Sequence, residues 1–173
     1  MPRDPAPTPV SPADVDGWLR DLGIRPVERF EREAVTSWDL RLDGRRRFDV
    51  PATLILDPAL AAIVWVHFAP PITDNLRASY RRLLRWNDDY PFVKFALAED
   101  GRPVLSAEIP VRSLDGDELG LALVRLLAIC DRLLEEAAPW IWIDGRVPDP
   151  GERVSRQLAL FVRYADRLGD LAP

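Results

Sequence analysis

The chain contains a single histidine, His67, and a single cysteine, Cys130, so the usual groups for proton transfer and nucleophilic attack occur once each. His67 lies between Val66 and Phe68 in an apolar stretch. A general base needs a nucleophile or second titratable group within reach. No such partner neighbours His67, and the residue reads as a polar position on a mostly buried strand or at its end. Cys130 falls in an apolar helical stripe, where a thiol behaves as a small hydrophobe and not as an activated thiolate. One histidine and one cysteine cannot build a nitrogen- and sulfur-rich zinc site within one chain. Asn87-Asp88-Asp89 offers oxygens to a hard cation but lacks the alternate spacing and terminal glutamate of a calcium loop. It reads as a helix end and the turn into Phe92. Asp115-Gly116-Asp117-Glu118 reads likewise as helix capping. Phosphate loops, dinucleotide fingerprints and nucleophile elbows do not occur. No catalytic, cofactor-binding or metal-ligating residue is assigned, and no cofactor is expected.

Two groups of residues point to binding instead. Arg77, Arg81 and Arg85 repeat at i, i+4 and i+8, so on a helix they share one face, with Arg82 at its edge. Arg45-Arg46-Arg47 is a second concentration of positive charge, at a predicted hairpin. The bland reading of the helical stripe is a solvated face; the functional one is a surface for an acidic protein segment or, less favoured, for nucleic acid. Interleaved aromatics would strengthen the nucleic-acid case, but only Tyr80 and Trp86 are nearby, and Tyr80 belongs to the apolar stripe. Trp140 and Trp142 flank a bend after a long helix. They either fold back on the core or stay accessible as interface anchors, tryptophan being enriched in binding hot spots.

The elements that position these groups are legible from periodicity. Residues 1–10 hold four prolines and read as a mobile tail. Ser11-Pro12-Ala13-Asp14 starts a helix with Val15, Trp18, Leu19 and Leu22 on one stripe, stopped at Gly23. Ile24–Glu33 reads as a connector. Trp38, Leu40 and Leu42 alternate with polar residues, Asp43-Gly44 signals a two-residue hairpin, and Phe48, Val50, Ala52, Leu54 and Leu56 return along one face. Ala61–Phe68, apolar on both faces, reads as central or covered twice. After Pro70-Pro71, Thr73 or Asp74 caps a helix with Leu76, Tyr80, Leu83 and Leu84. A hairpin follows, Phe92–Leu97 and Val104–Ile109, turning at Glu99-Asp100-Gly101 and ended by Pro110. A long helix then carries Leu119, Ala122, Leu123, Leu126, Leu127, Cys130, Leu133 and Leu134, ending before Pro139. Trp140–Ile143 is an apolar link. Glu152–Leu168 closes the chain as a helix with Val154, Leu158, Phe161, Val162 and Ala165 on one side.

The order is α-β-β-β-α-β-β-α-α. Hairpins without βαβ alternation give an α+β class with a largely antiparallel sheet. The 173 residues fit one domain at 11–139, with the Trp-containing link and last helix (140–173) packed on it. No apolar run approaches a bilayer span, MPRDPAPTPV lacks the apolar core of a secretory signal, and one cysteine fits a reducing compartment. A cytoplasmic protein without membrane contact is expected. The formal charge of −5 argues against general affinity for nucleic acid.

The run from Leu83-Leu84-Arg85-Trp86-Asn87 through Val93-Lys94-Phe95-Ala96-Leu97 to Gly101, Val104-Leu105, Glu108 and Pro110 resembles the YbjN-like family, a bacterial family described as a sensory transduction regulator. The resemblance covers about residues 12–138. It implies the fold of type III secretion chaperones and a non-enzymatic, homodimeric binding protein that presents sheet and helix surfaces to a client protein. No family catalytic residues are carried over. A nucleic-acid-associated regulator using Arg77, Arg81 and Arg85 is the alternative, and a small-ligand sensor with a pocket between sheet and long helix is a third.

Overall fold

The computed structural model describes residues 9–72 and 76–171, so the predicted tail up to Thr8 and the proposed caps Thr73 and Asp74 lie outside the described residues. Helix α1 (Pro12–Asp21) opens at the expected N-cap Ser11, and the structure completes it as a capping box: the Ser11 hydroxyl accepts the Asp14 N–H, and the Asp14 carboxylate accepts the Ser11 N–H at 2.8 Å. Strands β1 (Glu28–Arg32), β2 (Val35–Leu42), β3 (Val50–Asp57) and β4 (Ala61–His67) follow as a meander. Helix α2 (Leu76–Asp89) leads into the hairpin of β5 (Lys94–Leu97) and β6 (Pro103–Pro110). Gly101, at φ +78°, makes its turn. The chain ends in helices α3 (Gly116–Arg132), α4 (Leu134–Ile141), α5 (Leu158–Arg163) and α6 (Ala165–Leu168).

The six strands form one antiparallel sheet in the order β1-β2-β3-β4-β6-β5. One face is a continuous core: Trp38 and Leu40 of β2, Leu54 and Leu56 of β3, Val64 and Val66 of β4, and Leu105 and Ile109 of β6 all point into it. Helix α3 covers this face. Every residue from Leu119 to Asp131 except Arg125 is buried, because the sheet packs on one side of the helix and the C-terminal helices on the other. Asp115 caps α3 as anticipated, its carboxylate accepting the Asp117 and Glu118 N–H groups at 2.9 and 2.8 Å. A hydrogen bond from Trp38 Nε1 to Asp16, 2.7 Å long, fastens α1 to the sheet.

Four sequence expectations are corrected. The stretch read as a connector contains β1, an edge strand whose five residues are all exposed, so no apolar alternation marks it; its charges guard the edge against further pairing. Asp43-Gly44 does not form a two-residue hairpin, since β2 ends at Leu42 and β3 starts at Val50. The long helix breaks at Leu133, and Pro139 sits inside the separate helix α4 together with Trp140 and Ile141. The last helix expected over Glu152–Leu168 is two short helices, α5 from Leu158 and α6 from Ala165, which with Tyr164 between them bury Leu160, Phe161, Tyr164 and Leu168 while Val154 and Val162 face water. Strand β4 is central as expected but covered on one face only.

Candidate functional site

Among the described residues all helical packing falls on one side of the sheet, and none of them forms a second layer on the other. The register sets Phe30, Ser37, Ile55, Ile63 and Glu108 in one row across five strands, with Glu28, Asp39, Thr53, Trp65, Ser106 and Lys94 in the next. At its centre lie Ile55, Ile63 and Trp65; Trp65 is 39% exposed, and Phe30 toward the β1 edge 47%. Charge rims this apolar centre: Glu28, Asp39 and Arg41 toward one edge, and Lys94 bonded to Glu108 at 2.9 Å toward the other. An apolar centre within a polar rim is the anatomy of a protein interface, and tryptophan is its most frequent anchor. Sequence reading missed this face because Ile63 and Trp65 alternate with Val64 and Val66, and an apolar strand has the same composition whether a second layer covers it or not.

His67 ends β4 on the same face. Thr53 donates its hydroxyl to Asp39 at 2.8 Å, and His67 Nε2 lies 3.5 Å from that hydroxyl. The hydroxyl proton therefore goes to a carboxylate and not to the imidazole, so His67 does not activate Thr53. Burial, reinforced by the Arg102 charge, holds the His67 pKa below the ordinary histidine value and keeps the ring neutral. Cys130 is buried, and burial pushes its thiol up to about 11 despite the nearby Arg47 guanidinium. Among the described residues no cluster of three or more His, Cys, Asp or Glu side chains is placed to hold a metal ion.

The predicted arginine face is helical, and Arg81 and Arg85 stand in water; the Arg77 side chain lies outside the described residues. Neither Arg81 nor Arg85 bonds a carboxylate among the described residues. Arg82 is engaged: it donates to the Glu136 carbonyl at 3.3 Å and lies over the Trp140 ring, 5.8 Å from its centroid. Trp140 is half-buried against Trp86, ring centres 5.5 Å apart, which joins α4 to the cluster of Trp86, Phe68 and Phe95. Trp142 is half-buried just beyond the end of α4. Asn87 clamps β5, accepting the Phe95 N–H at 2.6 Å and donating to the Phe95 carbonyl at 3.0 Å, so the Asn87-Asp88-Asp89 run acts in turn formation as anticipated.

Arg45-Arg46-Arg47 is not a surface concentration of charge. The backbone N–H groups of these three residues converge on the buried carboxylate of Asp131, at 2.5, 3.0 and 2.8 Å. Burial outweighs these donors and pushes the Asp131 pKa above the usual carboxylate value. Arg47 is itself buried and donates to the Phe68 carbonyl at 2.5 Å, Arg46 pairs with Glu135, and Arg45 lies over Phe161. Gly44 is required by close approach, since a Cβ there would overlap the Asp131 carboxylate. The neighbouring Asp43 carboxylate accepts the Asp49 and Arg156 N–H groups and two bonds of 2.7 Å from the Arg156 guanidinium. Burial alone would raise its pKa, but these donors win and hold it at about 2. The loop thus staples residues 153–157 to the sheet.

A one-sided antiparallel sheet backed by helices, with its exposed features on surfaces, is an α+β scaffold suited to contact with other molecules. The model of the YbjN family, described as "Putative bacterial sensory transduction regulator", matches residues 11–138. The chain belongs to that family, whose description is that of a regulator, and residues 139–173 extend beyond the match. No curated protein compared with the chain matches it. No helix among the described residues is long and apolar enough to cross a membrane.

Proposed function

We propose that the protein is a non-enzymatic, protein-binding regulator or chaperone-like adaptor of the cytoplasm that presents its bare sheet face to a client polypeptide and works as a homodimer. The observation that carries this reading is the apolar patch of exposed Trp65 and Phe30 with half-buried Ile55 and Ile63, on a sheet face that no second layer covers among the described residues. Burying such side chains between proteins yields about 25 cal/mol per Å² before association costs. The family's regulator description is consistent with action through contacts. His67, Thr53 and Asp39 add hydrogen-bonding capacity at the rim of the face, which gives orientation more than affinity.

The test is affinity capture from the native cell with the wild-type chain and with Trp65→Asp, read by mass spectrometry, with melting temperatures of both proteins as the folding control. Captured proteins that disappear with Trp65→Asp at unchanged melting temperature support the reading; an identical set of captured proteins removes the sheet face from it. Light scattering at micromolar concentration tests the dimer separately, and the monomer mass alone would remove that part.

A further inference from the structure

A groove of about 510 Å³ runs between the turn after α2, helix α3 and the turn Gly169–Leu171. Its volume falls within the range of small-molecule sites. Three arginines line it, Arg125, Arg132 and Arg167, with Phe92 and Leu168 supplying apolar wall; Asp89 is a carboxylate in the same lining. Arg125 is the one residue between Leu119 and Asp131 that α3 does not bury, so an otherwise enclosed helix opens to water at a guanidinium. Its Cζ lies 4.9 Å from the centroid of the Phe92 ring. Phe92 holds φ +68°, a region that costs a residue with a Cβ free energy and is retained where the surroundings over-determine it.

A guanidinium over an aromatic face keeps its in-plane N–H donors unspent, and Arg125 makes no ion pair or hydrogen bond among the described residues. Arg167 is held in place by Asp117 and Glu118, at 2.5 and 2.7 Å, and Arg132 lies beside the Tyr90 phenol. Burial, and after it the Arg167 charge, disfavours the charged form of Arg125, while the Glu118 carboxylate opposes both; an anion in the groove would favour the charged form further.

We propose that this groove binds a small organic dianion, a phosphate monoester or a dicarboxylate, and that Arg125 is its principal contact. The guanidinium fork matches either head, and Phe92 and Leu168 receive the organic remainder. Arg167 and Leu168 come from beyond the family match, so the match covers only part of the groove.

Titration of the full chain with inorganic phosphate, phenyl phosphate and succinate at constant ionic strength tests the proposal, followed by amide NMR shifts and calorimetry. Saturable shifts confined to residues around Phe92, Arg125 and Gly169 are expected. Arg125→Gln should weaken the Kd about tenfold or more, Arg125→Lys should weaken it less, and Arg85→Gln should leave it unchanged. Tighter binding of phenyl phosphate identifies a phosphate monoester, and tighter binding of succinate a dicarboxylate. Absence of saturation by all three probes overturns the proposal, as does equal weakening by Arg125→Gln and Arg85→Gln.

Discussion

Two runs of arginine in this chain meet opposite fates. At 45–47 the residues are consecutive, their backbone N–H groups wrap the Asp131 carboxylate, and their side chains pack on Phe161, pair with Glu135 and bury beside Phe68. At 81 and 85 the residues are one helical turn apart and stand in water with no carboxylate bonded among the described residues. Residue type alone would rank the first run as the denser positive patch. What separates them is the backbone: a looped chain turns successive N–H groups inward onto an anion, whereas a helix spends its N–H groups internally and leaves only the side chains to act. The loop's backbone is therefore tied to the interior through Asp131, even where the Arg46 side chain reaches water, and the helix face is part of the surface.

If so, the largest loss should come from the carboxylate that organises the loop. Asp131→Ala leaves three N–H groups without an acceptor, that of Arg47 buried and those of Arg45 and Arg46 part-buried, and a cost of about 2–4 kcal/mol in urea denaturation is expected. Gly44→Ala attacks the same contact from the other side, by overlap with that carboxylate, and should cost about 1–3 kcal/mol. A change below about 0.5 kcal/mol in both would put the loop back on the surface and erase the contrast.

Asp43 comes next, with a pH signature. Its pKa is about 2 in the folded chain against an ordinary 3.8, so its contribution of about 2 kcal/mol is complete above the ordinary value and disappears as pH falls toward 2. Asp131 has the opposite sign: a raised folded pKa means that protonation favours the folded state, so acid does not destabilise through that group. Asp43→Asn should accordingly lower stability by about 2 kcal/mol at neutral pH and flatten the decline between about pH 4 and 2, measured by denaturation across that range.

The loop also marks the limit of what sequence reveals. The N-cap at Ser11, the alternation in β2 and β3 and the 94–110 hairpin are local patterns, and all are legible. A cradle of backbone N–H groups carries no signature of residue type, and its acceptor Asp131 is 86 residues from Arg45. Asp43-Gly44 therefore passes for a turn when its aspartate anchors Arg156 and its glycine makes room for a carboxylate. Strand β1 escaped notice because an edge strand exposed on both faces needs no apolar period. The C-terminal stripe read from periodicity is Val154, Leu158, Phe161, Val162 and Ala165; of these only Phe161 is buried, and Leu160, Tyr164 and Leu168 complete the buried side, a choice that only the packing against α3 makes. As for the site, the strand of Trp65 reads as central or covered twice, and the choice between these is a property of the whole fold.

On the bare sheet face, Trp65→Ala removes one half-exposed ring and its cross-strand neighbours Thr53 and Ser106 lose packing. A stability loss of about 1 kcal/mol or less is expected from cross-strand terms of this kind, against a larger loss of partner binding. A stability loss several times greater would mean that Trp65 belongs to the core and not to a docking face.

The smallest effect should fall on the exposed arginines. Arg81→Ala and Arg85→Ala remove side chains that bond nothing among the described residues, so stability should change by no more than about 0.5 kcal/mol. That silence makes the pair informative, because any binding change then reports contact and not folding. Titration with single-stranded and duplex oligonucleotides at two salt concentrations separates the remaining readings. Phosphate contacts weaken steeply with salt, and each arginine removed should reduce the slope by about one. With a formal charge of −5 on the whole chain, the expected result is weak binding without a slope that depends on Arg81 and Arg85. A steep slope lost in the double variant would instead assign the face to nucleic acid, and the two arginine runs would then differ in function as well as in burial.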